Sequence, residues 1–520
     1  MDTFLSIHQD AILGTLTMFD RVILKGHLTG LFPDGAFARF LWKQGVLLKD
    51  FKPYVEAATK SLKEHAEQVA REAGRRFTYL QSATTKRSGP SKEDIARSIA
   101  QEEGITEGLI CVFSVLEPCT SFVVRGNHET HKLEAVRKQR KCLHFYFYLI
   151  DPELGFMHIR LQSWFPFGIQ VYINGHEWLA QEMERQGIAY ERYDNCFTHI
   201  DDLEAAQKLC ERFAHRRWPR ILNAFAGWVN PMLRTIQQTG FGGYYWVIDQ
   251  CEIATDVMFE DRARLMALVP DLFEHATLDF SAEDVMRFLG RKLHGNFKGD
   301  VTTDLKKRPE GRRVKHRMKR NSIKMYDKLS VLRIETTINN PREFKVPKVT
   351  ETPEGRKWRW KPMNKGVANF WRFWRVGTQS NHRYLEALAQ VERKGEAVQA
   401  LDDLCRSRIK DGKRYARFNP VTEQDCALFA AVMAGEHALN GFRNRDLRAH
   451  LYDRPASTPQ ETKRRCARVS RLITKLRGHG LVAKVKDSRL YRVTPRGCRV
   501  MSAALSFRRA DFPGAFSMAA

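Results

Sequence analysis

Three carboxylates have the setting that metal-assisted phosphodiester chemistry requires. Glu335 is the lone acid of VLRIETTIN, an otherwise apolar strand pattern, and it follows closely on a run crowded with Arg and Lys. Hard divalent cations take carboxylate oxygens. Glu335 with Asp327 or Asp249 as second donor therefore reads as a Mg²⁺ site that could polarise a phosphoryl oxygen or activate water. The plainer reading pairs Glu335 across strands with Lys328 or Arg333. VIDQCEIATDVMFED holds a further group, Asp249, Glu252 and Asp256. Asp249 with Asp20 of another strand would suit a two-metal arrangement, whereas capping and surface roles explain such acids as simply.

The second chemistry is the grip on polyanions. GRRVKHRMKRNS carries Arg312, Arg313, Lys315, Arg317, Lys319 and Arg320 with no acid among them. Such a run, read as a basic arm over about Lys306–Arg320, releases counterions from a phosphate backbone. In RKWRWK, Trp358 and Trp360 stand among Arg356, Lys357, Arg359 and Lys361, a mixture that suits base stacking and sugar-phosphate contact. Lys and Arg total 86 against 60 Asp and Glu, a net charge of +26. A surplus of that size points to nucleic acid or an anionic surface.

Other classes are disfavoured. No basic leader with a small-residue cleavage site opens the chain, and the apolar run CLHFYFYLI is too short to span a bilayer. A membrane partner is not expected. Ten scattered cysteines without a CxxC pair fit a reducing cytoplasm. Cys142 and His144 read as core packing, so zinc is not expected. Gly240, Gly242 and Gly243 lack the spacing of a phosphate loop.

The elements that would carry these residues form a multidomain α+β chain. Residues 1–175 read as a mixed body with an antiparallel sheet. TMFDRVILKGHL is a strand, Leu62–Phe77 a helix stopped by Gly74, and DPELG the turn between two strands. Ser91 with Asp94 marks a helix start close to a capping box. Residues 176–305 read as mainly helical, 306–350 as the basic arm and a hairpin, and 351–416 as an exposed aromatic and basic linker followed by a helix. In 417–508, Thr422 and Thr494 cap helices, a third helix runs from about Thr458, Asn440–Gly441 makes a turn, and LVAKVK and RLYRV form a hairpin about Lys486–Ser488.

The segment LRGHGLVAKVKDSRLYRVTPRGCRVM resembles the recognition-helix, wing and T-x-x-G stretch of MarR-type winged helix-turn-helix regulators. That resemblance implies DNA binding, with the third helix in the major groove and the wing on the backbone. Arg464, Arg465, Arg468, Arg471 and Lys475 lie on that helix beside an apolar stripe and suit phosphate and base-edge contacts. A distant likeness of KMYDK and LRIE to the hairpin of rolling-circle initiators, with Tyr326 or Tyr384 as nucleophile, lacks the His-hydrophobe-His motif and assigns no family. The expectation is a cytoplasmic nucleic-acid-binding protein that recognises DNA through its C-terminal module. A body of about 400 residues exceeds what a simple regulator needs and suits a mobile element, replication or transposition. The alternatives are a Mg²⁺-dependent nuclease or strand-transferase and a binder of structured RNA.

Overall fold

The computed structural model describes the chain apart from residues 82–88, 194, 292–299, 309–310, 353–354, 390–401, 411, 421, 436, 438–440, 453, 487 and 512–520. Asn440 and Asp487, expected in turns, lie outside the described residues. The chain is mixed α and β, as expected. Its strands are β1 (Ile12–His27), β2 (Arg76–Leu80), β3 (Gly108–Asn127), β4 (Lys132–Asp151), β5 (Gly155–Gln162), β6 (Ile169–Asn174), β7 (Tyr190–Arg192), β8 (Phe197–Ile200) and β9 (Tyr245–Phe259). There follow β10 (Val301–Arg308), β11 (Gly311–Met318), β12 (Asn321–Lys328), β13 (Val331–Ile338), β14 (Lys345–Thr352), β15 (Gly355–Pro362), β16 (Arg408–Lys410), β17 (Lys413–Tyr415), β18 (Val482–Lys484) and β19 (Tyr491–Val493).

Two compact units interleave along the sequence. One takes Leu16–Ala254 and Thr337–Gly377, the other Met1–Thr15, Thr255–Thr336 and Thr378–Ala520. Strand order in the first is β9-β1-β6-β5-β4-β3-β2. β1/β6, β6/β5, β5/β4 and β4/β3 pair antiparallel, and β2 joins β3 parallel. The turn between β4 and β5 follows from DPELG: Asp151 Oδ1 accepts the amides of Glu153 and Leu154, each at 2.9 Å, and Gly155 takes φ of 73°. The Phe51–Glu72 helix buries Val55, Ala58, Leu62, Ala66 and Val69 at helical spacing, and the chain leaves it through Gly74 at φ of 66°. At the Lys92–Glu102 helix the Ser91 and Asp94 side chains form the expected capping box.

The second unit orders its strands β10-β11-β12-β13-β9. β13 is buried along its whole length, so no face of VLRIETTI meets solvent. Thr336 donates to Asn381 at 2.7 Å, and Asn381 donates to Thr255 at 3.1 Å. Tyr384, a possible nucleophile by sequence, is fully buried with its hydroxyl 2.9 Å from His316 Nε2, and burial pushes its pKa well up. It is a core residue.

The C-terminal part of this unit has its own core, built from the Glu423–Met433, Asn444–Leu451, Pro459–Gly478 and Pro495–Ser506 helices. Leu428, Phe429, Val432, Leu447, Val469, Ile473 and Leu476 meet in it. β18 pairs with β19, and Phe442 bridges Tyr491 beside them through two backbone bonds of 2.8 Å. The T-x-x-G stretch has a local cause. Thr494 Oγ1 accepts the Gly497 amide at 2.9 Å, and a Cβ on Gly497 would come within 1.8 Å of the Leu481 carbonyl oxygen.

Candidate nucleic-acid interface

The Pro459–Gly478 helix starts at Thr458, whose hydroxyl accepts the Glu461 amide at 3.2 Å behind a proline at the first turn. Its buried stripe of Val469, Ile473 and Leu476 turns Arg464, Arg468 and Arg471 outward, and all three are exposed. The other two expected contacts serve the fold. Arg465 is held by Glu461 and the Arg454 carbonyl and lies 4.4 Å above the Tyr452 ring. Lys475 lies 3.8 Å above Phe418 and 3.6 Å from Asp425. Lys484, Lys486, Arg489 and Arg492 on and beside the hairpin are exposed as well. In the sequence, Lys484 and Lys486 alternate with Ala483 and Val485, a strand signal that the denser basic run on the helix overshadows.

The stretch around Trp358, expected as a linker, is the strand β15, and it pairs with β14 from Lys345↔Pro362 to Thr352↔Gly355. Alternation puts Trp358 opposite Val349 and Trp360 opposite Pro347 on one face, with Lys348↔Arg359 and Thr350↔Lys357 on the other. Trp358 and Trp360 are 70% and 69% exposed. The spacing W-x-W with cations between is the strand signal, obscured by Pro347 and Pro362.

The basic arm is also sheet. β11 pairs with β10 and β12, and it buries Val314, His316 and Met318 while Arg313, Lys315 and Arg317 lie on its other face. Arg313 binds Asp304 at 3.2 Å, and Arg312 lies 3.7 Å from Asp327. Arg317 and Arg320 are exposed. Burial, and then Lys324, Arg317 and Arg313, push the Lys315 pKa down against the pull of Asp304. This face is strongly positive.

The carboxylates are distributed differently from the sequence expectation. Asp327 accepts the Arg312 amide, with Gly311 at φ of 143° where a Cβ would strike the Asp327 carbonyl. Burial raises its pKa against those contacts. Asp249 is held by Lys25 at 2.8 Å and Lys365 at 3.6 Å. Burial would raise its pKa, but these two lysines bring it below the usual range. Glu335 pairs with Lys324, not with Lys328 or Arg333. Arg333 forms a buried two-pronged bond with Asp256 at 2.7 and 2.8 Å. Asp327 and Asp249 are thus each occupied by cations of their own.

A different acidic pair forms in the first unit. Asp20 on β1 and Glu252 on β9 are buried, with oxygens within 4.8 Å of each other. Asn195 donates to Asp20 at 3.0 Å, and Thr337 and Gln250 donate to Glu252 at 3.2 and 3.1 Å. His176 Nδ1 is 3.3 Å from Asp20 because the Gly175–Gln186 helix begins where β6 ends. Only glycine fits at Gly175, since a Cβ would lie 2.1 Å from the Phe19 carbonyl oxygen. Burial works to lower the Arg21 pKa, but Glu252, Tyr172 and Asp20 outweigh it and raise it. Two carboxylates in this setting suit a hard cation.

A softer donor set lies on β3 and β4. Cys119, Cys142 and His144 are buried with ligand atoms within 4.8 Å of one another, and the two sulfurs are 2.6 Å apart. Burial brings the His144 pKa down to about 4, and its Nδ1 lies 3.1 Å from the Cys142 carbonyl oxygen. Thiol and imidazole donors suit a thiophilic ion. The strand-to-strand step from Cys142 to Cys119 is visible only once β3 and β4 are aligned.

Among the described residues no helix is long and apolar enough to cross a membrane. Comparison with protein-family models, curated proteins and solved structures found no match.

Proposed function

We propose that the chain binds nucleic acid and reads duplex DNA through its C-terminal helices and hairpin, in the manner of the winged helix-turn-helix modules that its last hundred residues resemble. One observation carries this reading: Arg464, Arg468 and Arg471 stand outward at helical spacing, opposite the buried stripe of the same helix. Guanidinium groups in that position suit bidentate contact with guanine edges or with phosphates. The exposed cations of the hairpin suit the adjoining backbone.

The test is anisotropy of labelled duplex DNA titrated with the full chain. The Arg464→Ala, Arg468→Ala and Arg471→Ala variants weaken binding by roughly 1–3 kcal/mol for each base edge that no longer meets its arginine. Arg465→Ala and Lys475→Ala lower the melting temperature instead. Duplex binding that all three outward variants leave intact would refute this surface. Tighter binding of folded RNA than of any duplex would favour the RNA-binding alternative.

A second reading, a metal-dependent nuclease or strand-transferase, draws on the Asp20–Glu252 pair. It requires cleavage of supercoiled or single-stranded DNA with Mg²⁺ or Mn²⁺ that Asp20→Asn and Glu252→Gln abolish while binding persists. Glu335→Gln belongs in the same assay. Wild-type protein that cuts nothing rules the nuclease out.

A further inference from the structure

The β14–β15 hairpin is an unusual piece of surface. Its two strands carry Lys345, Lys348, Arg356, Lys357, Arg359 and Lys361 against one acid, Glu351. Every residue of β15 is exposed. Its base is anchored, with Phe344, Val346 and Met363 buried and the Met363 amide bonded to the Phe344 carbonyl at 2.9 Å, and Pro347, Lys348 and Thr350 of β14 are half-buried. Large aromatic rings left in water forgo the burial that ordinarily stabilises them, about 25 cal/mol per Å² of apolar area. Two together, with Val349 50% exposed on the same face, mark a contact surface.

Geometry narrows the ligand. Residues two apart on a strand are separated by about 6.7 Å, at roughly 3.3–3.4 Å per residue. Trp358 and Trp360 therefore project from one face about two base thicknesses apart, given the roughly 3.4 Å rise of stacked bases. A base fits between the two indoles, or successive bases stack on their outer faces. Base faces are available to protein rings only where the strand is unpaired and splayed. Arg356 lies on the tryptophan face, where it pairs with Glu351 at 3.4 Å, and Lys357, Arg359 and Lys361 alternate onto the other face of a ribbon only two strands wide, with stems long enough to bring their charges to its edge. They supply the phosphate contacts. On the Phe370–Leu388 helix that follows, Trp371 is exposed with the Arg372 guanidinium 4.9 Å from its ring.

We infer that the β14–β15 hairpin is a binding site for single-stranded nucleic acid, which it holds by stacking bases on Trp358 and Trp360 and by pairing the backbone with the surrounding cations. This site is separate from the duplex-reading surface proposed above and does not depend on it.

The experiment uses the full chain and three dye-labelled probes: a thymidine oligonucleotide, an abasic strand of the same length, and a duplex. Trp358→Ala with Trp360→Ala weakens thymidine binding by roughly 5- to 150-fold for each base deprived of its ring. Trp358→Phe with Trp360→Phe restores most of it. The abasic strand binds the wild type as weakly as the thymidine strand binds the alanine variant. In the Arg464→Ala/Arg468→Ala/Arg471→Ala background the two tryptophan changes still weaken thymidine binding by the same factor, which separates this site from the duplex reading. The inference is overturned if the alanine variant binds thymidine as the wild type does, if the abasic strand binds equally well, or if the arginine variant abolishes single-strand binding. It is also overturned if anionic phosphatidylserine vesicles compete the oligonucleotide away at matched charge and require the same tryptophans, since the face would then be a membrane-surface contact.

Discussion

At the scale of single residues, His316 shows how far a side chain can depart from its sequence context. In the run RRVKHRMKR it looks like one more base among cations. In the fold it is fully buried, with Nδ1 2.9 Å from Thr303 Oγ1 and Nε2 2.9 Å from the Tyr384 hydroxyl. Burial brings its pKa down to about 4, against the pull of Asp304. The folded value is below the ordinary histidine value of about 6.5, so the unfolded chain takes up this proton first as pH falls. Stability from His316 is therefore whole above about 6.5 and declines progressively toward about 4, by up to about 3 kcal/mol at 1.36 kcal/mol per unit. His144 and His158 are lowered by burial too and steepen the same slope. The urea midpoint of His316→Gln should fall less between pH 7 and pH 4.5 than that of the wild type. Equal slopes would show that the site admits a proton or water when folded.

At the scale of elements, β11 decides what a basic run can do. A free arm would offer all its cations to phosphates, but a strand commits alternate residues to each face. Arg312 and Arg313 answer Asp327 and Asp304, and Arg317 and Arg320 are exposed. Neutralising Arg317 and Arg320 should reduce the slope of log affinity against log salt by up to about 0.9 for each phosphate left without its cation on duplex DNA. Neutralising Arg312 and Arg313 should leave that slope in place and lower the melting temperature. The reverse pattern would make the carboxylate pairs incidental. Where the sequence is legible, the cause is local: Ser91 with Asp94, Asp151 before Gly155, and Thr494 with Gly497 each act within a few residues. What it hides is set by register between distant strands. Nothing in LRIE announces Lys324 as the partner of Glu335, and nothing near Cys142 announces Cys119. Nor does VIDQCE announce that Glu252, rather than Asp249, meets Asp20.

At the scale of the whole molecule, the surplus of +26 has no single home. Outward cations gather on the Pro459–Gly478 helix, on β15 and at the end of β11, one helix and two strands. The chain also visits each compact unit more than once, so boundaries drawn along the sequence cut through cores. The C-terminal module is the clearest case. Composition starts it near Arg417, yet Leu404 and Phe418 belong to its core. Arg408 donates to the His479 carbonyl at 2.8 Å, and Arg496 pairs with Asp403 at 3.0 Å. Tyr415 packs on Gly478 so closely that a Cβ there would lie 2.3 Å from its ring. A fragment of 417–508 keeps Phe418 and lacks the rest of these partners. Burying one Leu side chain is worth about 1.5–3 kcal/mol, so the shorter fragment should be destabilised by at least that much relative to one beginning at Asp402. Thermal melts of the two fragments measure it. The longer fragment should melt cooperatively and bind duplex DNA, and the shorter should melt lower or lack a cooperative transition. Equal melting temperatures would mean that Leu404 and the β16–β17 hairpin lean on the module without stabilising it, and that the sequence boundary was the physical one.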